Sequence, residues 1–483
     1  MNRKIVFSVT GRLLEAMSLI LLLPAVVALI YKETCILAFV ISAAISLGIG
    51  ILCRLLTRGC NTALYAREGF LIVALAWFSA SLVGCLPFLL SGEIKSFADA
   101  FFETVSGFTT TGASIATDVE SFSHAILFWR SFTHWIGGMG VLVFMVAFVS
   151  NISDRAIHIL RAEMPGPVVG KIVPRSKDTS KVLYIIYIAI TLLQIIFLWC
   201  GEMNLFEATV HTFGTVGTGG FGIKPDSIAS YSAYSQWVII AFMLISGINF
   251  NLYYLITLKR FKSVLKSEEL WTYIGIFVFS SALIATNIFR VAEGCKTVAD
   301  TIRTAAFQVS SIVTTTGYAT VDFNLWPDFS KAIIFILLFT GACAGSTAGG
   351  LKLSRVVIMF KMIRKEIHRM IHPRSVSCVK FEGKEVDEHV QKSVTTYFAV
   401  YMIGIMLVFI ILSLEPFGLV TNFSAAVTCF NNVGPGFDMV GPAGSFAEYS
   451  DFSKIILSFT MLFGRLEIFP LLIALSPSTW RKK

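Results

Sequence analysis

The tetrapeptide Thr109-Thr110-Thr111-Gly112 ends a segment too short to cross a membrane, and the same four letters return at Thr314-Thr315-Thr316-Gly317 after an equally short segment. Both tracts lie between long apolar runs, residues 70–90 and 126–149 around the first and 273–288 and 332–344 around the second. Hydrocarbon offers backbone groups no partner, so non-helical backbone at membrane depth must be buried in protein or line a water-filled cavity. A Thr/Gly tract at that depth points to backbone carbonyls facing a permeating cation. The competing reading is that Thr and Gly are small packing residues of the GxxxG kind. One tract does not separate the two; repetition in one context favours carbonyls.

Of the 483 residues, 55% are hydrophobic and 14% charged, where soluble domains carry about 25% charged residues. This is a membrane composition. The net charge of +9 needs no nucleic-acid partner, because its placement accounts for it. Arg54, Arg58 and Arg67 share one connection, and Arg155, Arg161, Lys171, Arg175, Lys177 and Lys181 another. Lys259, Arg260, Lys262 and Lys266 follow a third span. The longest basic stretch runs from Lys352 through Arg355, Lys361, Arg364, Lys365, Arg369 and Arg374 to Lys384. Intervening connections carry acids, at Asp99, Glu103, Asp118 and Glu120. The alternation places both termini and the basic connections in the cytoplasm; a docking surface is the second reading of the basic runs. Nine cysteines are scattered singly, against a disulfide framework or zinc site. Arg3 and Lys4 before a long apolar run resemble a signal peptide, but no small-x-small cleavage site follows, so an uncleaved first span is expected.

Spans are expected near 13–31, 36–56, 70–91, 124–150, 182–200, 235–258, 271–291, 330–362, 395–414 and 453–475. Four shorter segments fall between consecutive spans, near 97–108, 204–215, 299–313 and 422–431. Twelve helical residues rise only about 18 Å, roughly half a bilayer, so each can enter and return. Ser96 followed by Asp99 resembles a capping box opening the first of them. The expected fold is an all-α polytopic membrane protein with four span–pore-loop–span repeats about a pseudo-fourfold axis. An N-terminal helix pair (1–66) precedes repeats at 67–165, 166–262, 263–392 and 393–483.

The first and third copies align directly; the second supplies Gly217-Thr218-Gly219-Gly220 and the fourth Asn431-Asn432-Val433-Gly434. On this alignment Gly112, Gly219, Gly317 and Gly434 are common to all four. Gly permits dihedrals that side chains resist, letting successive carbonyls aim at one axis, and each short helix should point its partly negative C-terminus there. The cation ligands expected are therefore Thr110, Thr111, Gly217, Thr218, Thr315, Thr316, Asn432 and Val433, aimed by the four glycines. Neutral carbonyls replace the hydration shell of a potassium ion without holding it too tightly to leave.

These tracts, with AEMPGP at 162–167, GTGGFG at 217–222, AGSTAGGLK at 344–352, NNVGPG at 431–436 and FGRLEIFP at 463–470, carry a family likeness over nearly the whole chain. The chain resembles the Trk/Ktr/HKT superfamily of cation transporters, most closely the TrkH-type membrane subunits. The resemblance implies potassium as the transported ion, with no organic cofactor in this chain, and a homodimer in a bacterial inner membrane, in contact with membrane lipid. It also implies gating by a cytoplasmic nucleotide-binding regulatory subunit of the TrkA kind. Asn432-Val433 in place of Thr-Thr departs most from a potassium-channel tract, which implies looser selectivity.

Residues 342–350 interrupt an apolar span with Gly345, Ser346, Thr347, Gly349 and Gly350. A phosphate loop is disfavoured, because Leu351 separates Gly350 from Lys352 and no strand precedes. A broken helix in a membrane usually lines a cavity, and the resemblance makes this one a gate; a kink for packing is the alternative. Arg465 inside the last apolar run is by default a functional residue, implied by the resemblance to project into the pore, with a structural ion pair or a snorkelling side chain as the plain reading. Arg465 and Glu467 do not share a helix face, so their pairing is not implied. His368 and His372 have metal-ligand spacing on a basic segment and read as a solvated face. No catalytic constellation stands out. The reading is a potassium uptake protein; a symporter coupled to H+ or Na+ remains open. A membrane-embedded enzyme is disfavoured, and an anchoring or signalling protein on a pore-like scaffold is a further alternative.

Overall fold

Six described helices are long and apolar enough to cross a hydrocarbon layer: Arg3–Tyr31, Ile36–Leu56, Arg67–Ser91, Lys181–Trp199, Glu268–Ile288 and Glu388–Leu412. The computed structural model describes residues 3–59, 66–140, 176–291, 297–375 and 377–480. Within them the chain is helical almost throughout, an all-α polytopic membrane protein whose strands are the two-residue pair Lys380–Phe381 and Lys384–Glu385. The AEMPGP motif, Arg155, Arg161, Lys171, Arg175, Cys60 and Cys295 lie outside the described residues.

Three of the remaining expected spans are broken, and the fourth, 124–150, continues past residue 140 outside the described residues. Residues 235–258 form Ala233–Gly247 and Phe250–Thr257, bent by 87°. Asn249 causes the corner: its side chain accepts the Asn251 N–H at 3.0 Å, capping a new helix instead of continuing the old one. The apolar stretch 330–362 divides into Asp328–Leu337 and Leu353–Ile371, a wider break than the glycines alone indicate. The last span divides into Asp451–Arg465 and Phe469–Leu475. Pro470 stands in the first turn of the second piece, where its missing N–H would have no helical partner and its fixed φ suits a new helix start. Glu467 and Ile468 take the left-handed turn between the pieces, with φ of 52° and 68°. The helix containing Arg130 is His124–Gly138. The first span starts at Arg3, ten residues earlier than hydropathy indicates, and is interrupted only at Leu21, ahead of Pro24.

All four short segments are helices: Phe97–Phe108, Leu205–Val216, Val298–Val313 and Leu419–Asn431. Their starts are written locally. Ser96 accepts from Asp99 N at 3.5 Å and Thr297 from Asp300 N at 3.1 Å. The full capping box is at Asn204–Glu207, where each side chain accepts the other's backbone N–H. Burial is nearly complete along the first of these helices, with Phe101, Phe102, Val105 and Phe108 in the main core. A helix buried all round is positioned by packing, not by a solvent face.

Both described ends of the chain meet at one face. Arg3 Nη2 donates to the Trp480 carbonyl at 2.8 Å, and Arg67 Nη2 to that of Ser478 at 2.7 Å. Of the described cysteines, Cys35, Cys85, Cys343 and Cys429 are buried while Cys200 and Cys378 are exposed.

Candidate functional site

Each short helix ends in the same turn. Thr110, Thr218, Thr315 and Asn432 all have φ between 53° and 56°. The residue after each donates its N–H five positions back: Thr111 to Ser106, Gly219 to Gly214, Thr316 to Ser311 and Val433 to Thr428, at 2.8–3.0 Å. Next come Gly112, Gly220, Gly317 and Gly434, with φ of 78°, 78°, 87° and 97°. The second copy is therefore in a different register from the one expected. Gly220, not Gly219, holds the shared glycine position, and Gly217 aligns with Thr109 and Thr314. Three glycines within four residues leave the register open to counting. The polar position nine residues earlier, Glu103, His211 and Gln308 in the first three copies, would have fixed it.

The four turns close into a ring in chain order. A methyl group at Gly112 would collide with the carbonyl oxygen of Gly219, and one at Gly220 with that of Thr316. At Gly317 it would meet the carbonyl oxygen of Val433, and at Gly434 that of Thr111, 2.6 Å away. Each glycine thus lets the next copy's backbone approach, and side chains there would open the ring. Thr110, Thr111, Thr218, Thr315, Thr316, Asn432 and Val433 are all fully buried. Four helix C-termini abut the ring, each equivalent to roughly half a negative charge.

Sequence reasoning missed the polar groups behind the ring. Glu103, expected among the acids of an external connection, is inside the first short helix and paired with buried Arg130, Nη2 to Oε1 at 2.6 Å. Ser114 Oγ and Ile115 N also donate to Glu103, at 2.9 and 3.0 Å, and Arg130 Nη1 reaches the Gly222 carbonyl of the second copy at 3.3 Å. Removing one partner of such a buried pair costs roughly 3–5 kcal/mol. Asp99 likewise pairs with Lys454, Oδ1 to Nζ at 2.6 Å. Arg130, an arginine within an apolar run, was the overlooked signal. His134 joins the same two copies, with Nδ1 at 2.8 Å from the Gly107 carbonyl and Nε2 accepting from Phe221 N at 3.3 Å.

The interrupted span returns beneath the ring as a loop. Its neck is closed by Gly341 N donating to the Leu351 carbonyl at 2.8 Å. Gly349 N donates to Thr315 Oγ1 at 2.7 Å, and a methyl group on Gly349 would touch the Asn431 carbonyl oxygen and Asn432 Cβ, each 2.7 Å away. Gly345 meets the Asn249 corner, its carbonyl accepting from Phe250 N at 3.0 Å. Arg465 donates to the Thr347 carbonyl at 2.7 Å and to those of Gly137 and Gly138 at 2.5 and 2.9 Å. This fourth-copy side chain thus ties the loop of the third copy to the first copy, its two neighbours in the ring. Glu467 pairs with Arg355, not with Arg465.

Lys352 and Arg355, expected in an accessible basic connection, are buried: one donates to the Ala348 carbonyl and the other pairs with Glu467. Arg364 and Arg369 on the same helix are exposed. His368 and His372 are exposed too, and among the described residues no cluster of three or more His, Cys, Asp or Glu is placed to hold a metal.

A ring of four helix ends closed within a single chain, among helices long and apolar enough to cross a membrane, defines a multi-pass membrane protein of the cation-transporter architecture. The family described as TrkH, cation transport protein, matches residues 36–482, and the chain belongs to that family. It is 36% identical to the Trk system potassium uptake protein TrkH of Escherichia coli K12, over the whole of both chains. It is 35% identical to that organism's Trk system potassium uptake protein TrkG, over 99% of each. The crystal structure of the potassium transporter TrkH from Vibrio parahaemolyticus superposes with a TM-score of 0.89 at 33% identity, covering all of both chains.

Proposed function

We propose that the chain carries potassium across the cell membrane through the ring formed by Thr110–Gly112, Thr218–Gly220, Thr315–Gly317 and Asn432–Gly434. The observation that carries this reading is the closure of the four turns, each glycine against the next copy's carbonyl oxygen. The names of the relatives, potassium uptake proteins, supply the ion. Neutral carbonyls and four helix C-termini favour a dehydrated cation without any acidic ring. The four pore repeats expected from the sequence are the units that each contribute one turn, behind the N-terminal pair.

The loop containing Gly345, Ser346, Thr347, Gly349 and Gly350, with Arg465, is the closed gate below that ring. A guanidinium there repels a cation most strongly where water is scarce. Basic connections face the cytoplasm, a nucleotide-binding regulatory subunit docks there and releases the loop, and two copies assemble in a bacterial inner membrane. The test is rubidium uptake into liposomes holding the purified chain alone. Arg465→Ala should raise basal flux severalfold; an inserted variant that leaks no faster than the parent removes the gate assignment. Flux that stops when a proton or sodium gradient is collapsed, with the rubidium gradient intact, would favour the symport alternative.

A further inference from the structure

The loop beneath the ring is held from below by one carboxylate that the gate reading does not include. Glu269 is in the first turn of the helix Glu268–Ile288 and is only 5% exposed. Acids are common at helix starts because they complement the dipole, and neighbouring Glu268 fits that description, paired at the surface with Lys361. Glu269 points elsewhere. Its Oε1 accepts the N–H of Ala344 at 2.8 Å and that of Ser354 at 3.1 Å. These residues flank the loop at its entry and exit, so one oxygen ties both sides together. The Asn249 side chain, at the corner of the bent span, lies against the loop itself, its Oδ1 3.0 Å from a methyl group placed on Gly345. Both sides of the loop therefore converge on one carboxylate.

A second carboxylate connects this point to the basic face. Glu382 sits in the turn of the hairpin Lys380–Glu385, with φ of 50°. It accepts from Ser267 Oγ at 2.8 Å and from the backbone N–H of Glu269 itself at 3.0 Å. Lys361 donates to the Lys380 carbonyl at 2.7 Å, tying the hairpin to the basic helix Leu353–Ile371. A displacement of the hairpin thus reaches Glu269 through the Glu382 hydrogen bond, and one of that helix reaches it directly through the Ser354 N–H.

We propose that Glu269 is the positioning residue that clamps the loop in its occluding conformation, and that the hairpin acts on the clamp through Glu382. The proposal rests on the loop being the gate. Hydrogen bonds to a charged acceptor are about twice as strong as neutral ones, so one side chain has enough leverage to bias two loop positions. Ion discrimination is untouched, because Glu269 makes no contact with the ring turns.

The experiment compares rubidium and sodium flux into liposomes for the parent, E269Q, E269A, E382A, a deletion of residues 346–349, and the deletion combined with E269Q. Expected are a roughly tenfold rise in basal rubidium flux for E269Q and E269A and a smaller rise for E382A. The rubidium-to-sodium ratio should be unchanged, and E269Q should add nothing in the deleted background. That non-additivity is what a clamp on the loop predicts and a general packing role does not. If the deletion leaks while E269Q and E269A stay closed, the clamp is wrong and the gate stands. If the two effects add in full, Glu269 acts elsewhere and the clamp is again wrong. If the deletion itself does not leak, the gate reading fails and the clamp with it. Should E269A fail to insert, E269Q decides; should both fail, E382A decides, and no rise in its flux overturns the proposal.

Discussion

Asn432 donates from Nδ2 to Thr111 Oγ1 at 3.0 Å across 321 positions of sequence, sewing the last turn of the ring to the first. The same amide donates to the Met461 carbonyl at 2.9 Å. In the other three copies the equivalent residue is threonine, and its hydroxyl makes no such tie: Thr218 Oγ1 donates to the Gly217 carbonyl and Thr315 Oγ1 accepts from Gly349 N, each at 2.7 Å and within one copy. The odd residue of the fourth copy is therefore a cross-copy tie. Asn432→Ala removes both hydrogen bonds, each worth about 1 kcal/mol. The potassium-to-sodium uptake ratio should fall severalfold while the protein still inserts. Competitive uptake of rubidium and sodium measures it, and an unchanged ratio would show that the tie is dispensable.

Much of this arrangement is legible in the sequence. Thr/Gly tracts after segments of about twelve residues locate the four short helices, because helix length against bilayer thickness is a strong constraint. What is not legible depends on contacts between copies. Glu103 reads as an external acid until Arg130 is placed beside it, and Lys352 and Arg355 read as surface charge until Ala348 and Glu467 meet them. The breaks at Asn249 and before Pro470 are local backbone events inside apolar runs, to which averaged hydropathy is blind. Glu269 has no distinguishing signal at all: it is one of two glutamates at a helix start.

The register of the second copy gives a sharper test of the ring. Gly220→Ala forces a side chain into a left-handed conformation, costing about 1–2 kcal/mol, and directs a methyl group at the Thr316 carbonyl. Selective uptake should fall by about tenfold or more, matching Gly112→Ala. Growth on limiting potassium in a strain without other uptake systems reads this out. Normal growth would mean that Gly220 is outside the ring.

Charge at the basic helix divides into buried and accessible parts. Replacing Arg364, Lys365 and Arg369 together with glutamine should weaken capture of the proposed regulatory subunit in pull-down, leaving insertion intact. Full capture would leave these residues with a topological role alone.

Glu415 provides a pH-dependent test of the connection between Leu412 and Leu419. Burial raises its carboxyl, but hydrogen bonds from Ser450 and Ser453 and the charge of Lys454 outweigh burial and hold it below the usual 4.5. A depressed carboxyl contributes stability above its ordinary value and loses it as pH falls through the folded value. Glu415→Gln should therefore lower the melting temperature of the solubilised protein by a few degrees at pH 7. The gap should close progressively below about pH 4.5. A gap that is constant with pH would assign the effect to shape instead of charge.

The central claim is that the closed ring of four turns is the path of the ion. Planar-bilayer recording of the purified chain in potassium and sodium, for the parent and for Gly317→Ser, tests it most directly. A serine there meets the Val433 carbonyl oxygen and the Pro435 ring in a backbone conformation that disfavours side chains. The parent should conduct potassium over sodium, and Gly317→Ser should lose the preference or the current. Unaltered conductance and ion preference in a folded Gly317→Ser protein would contradict the claim.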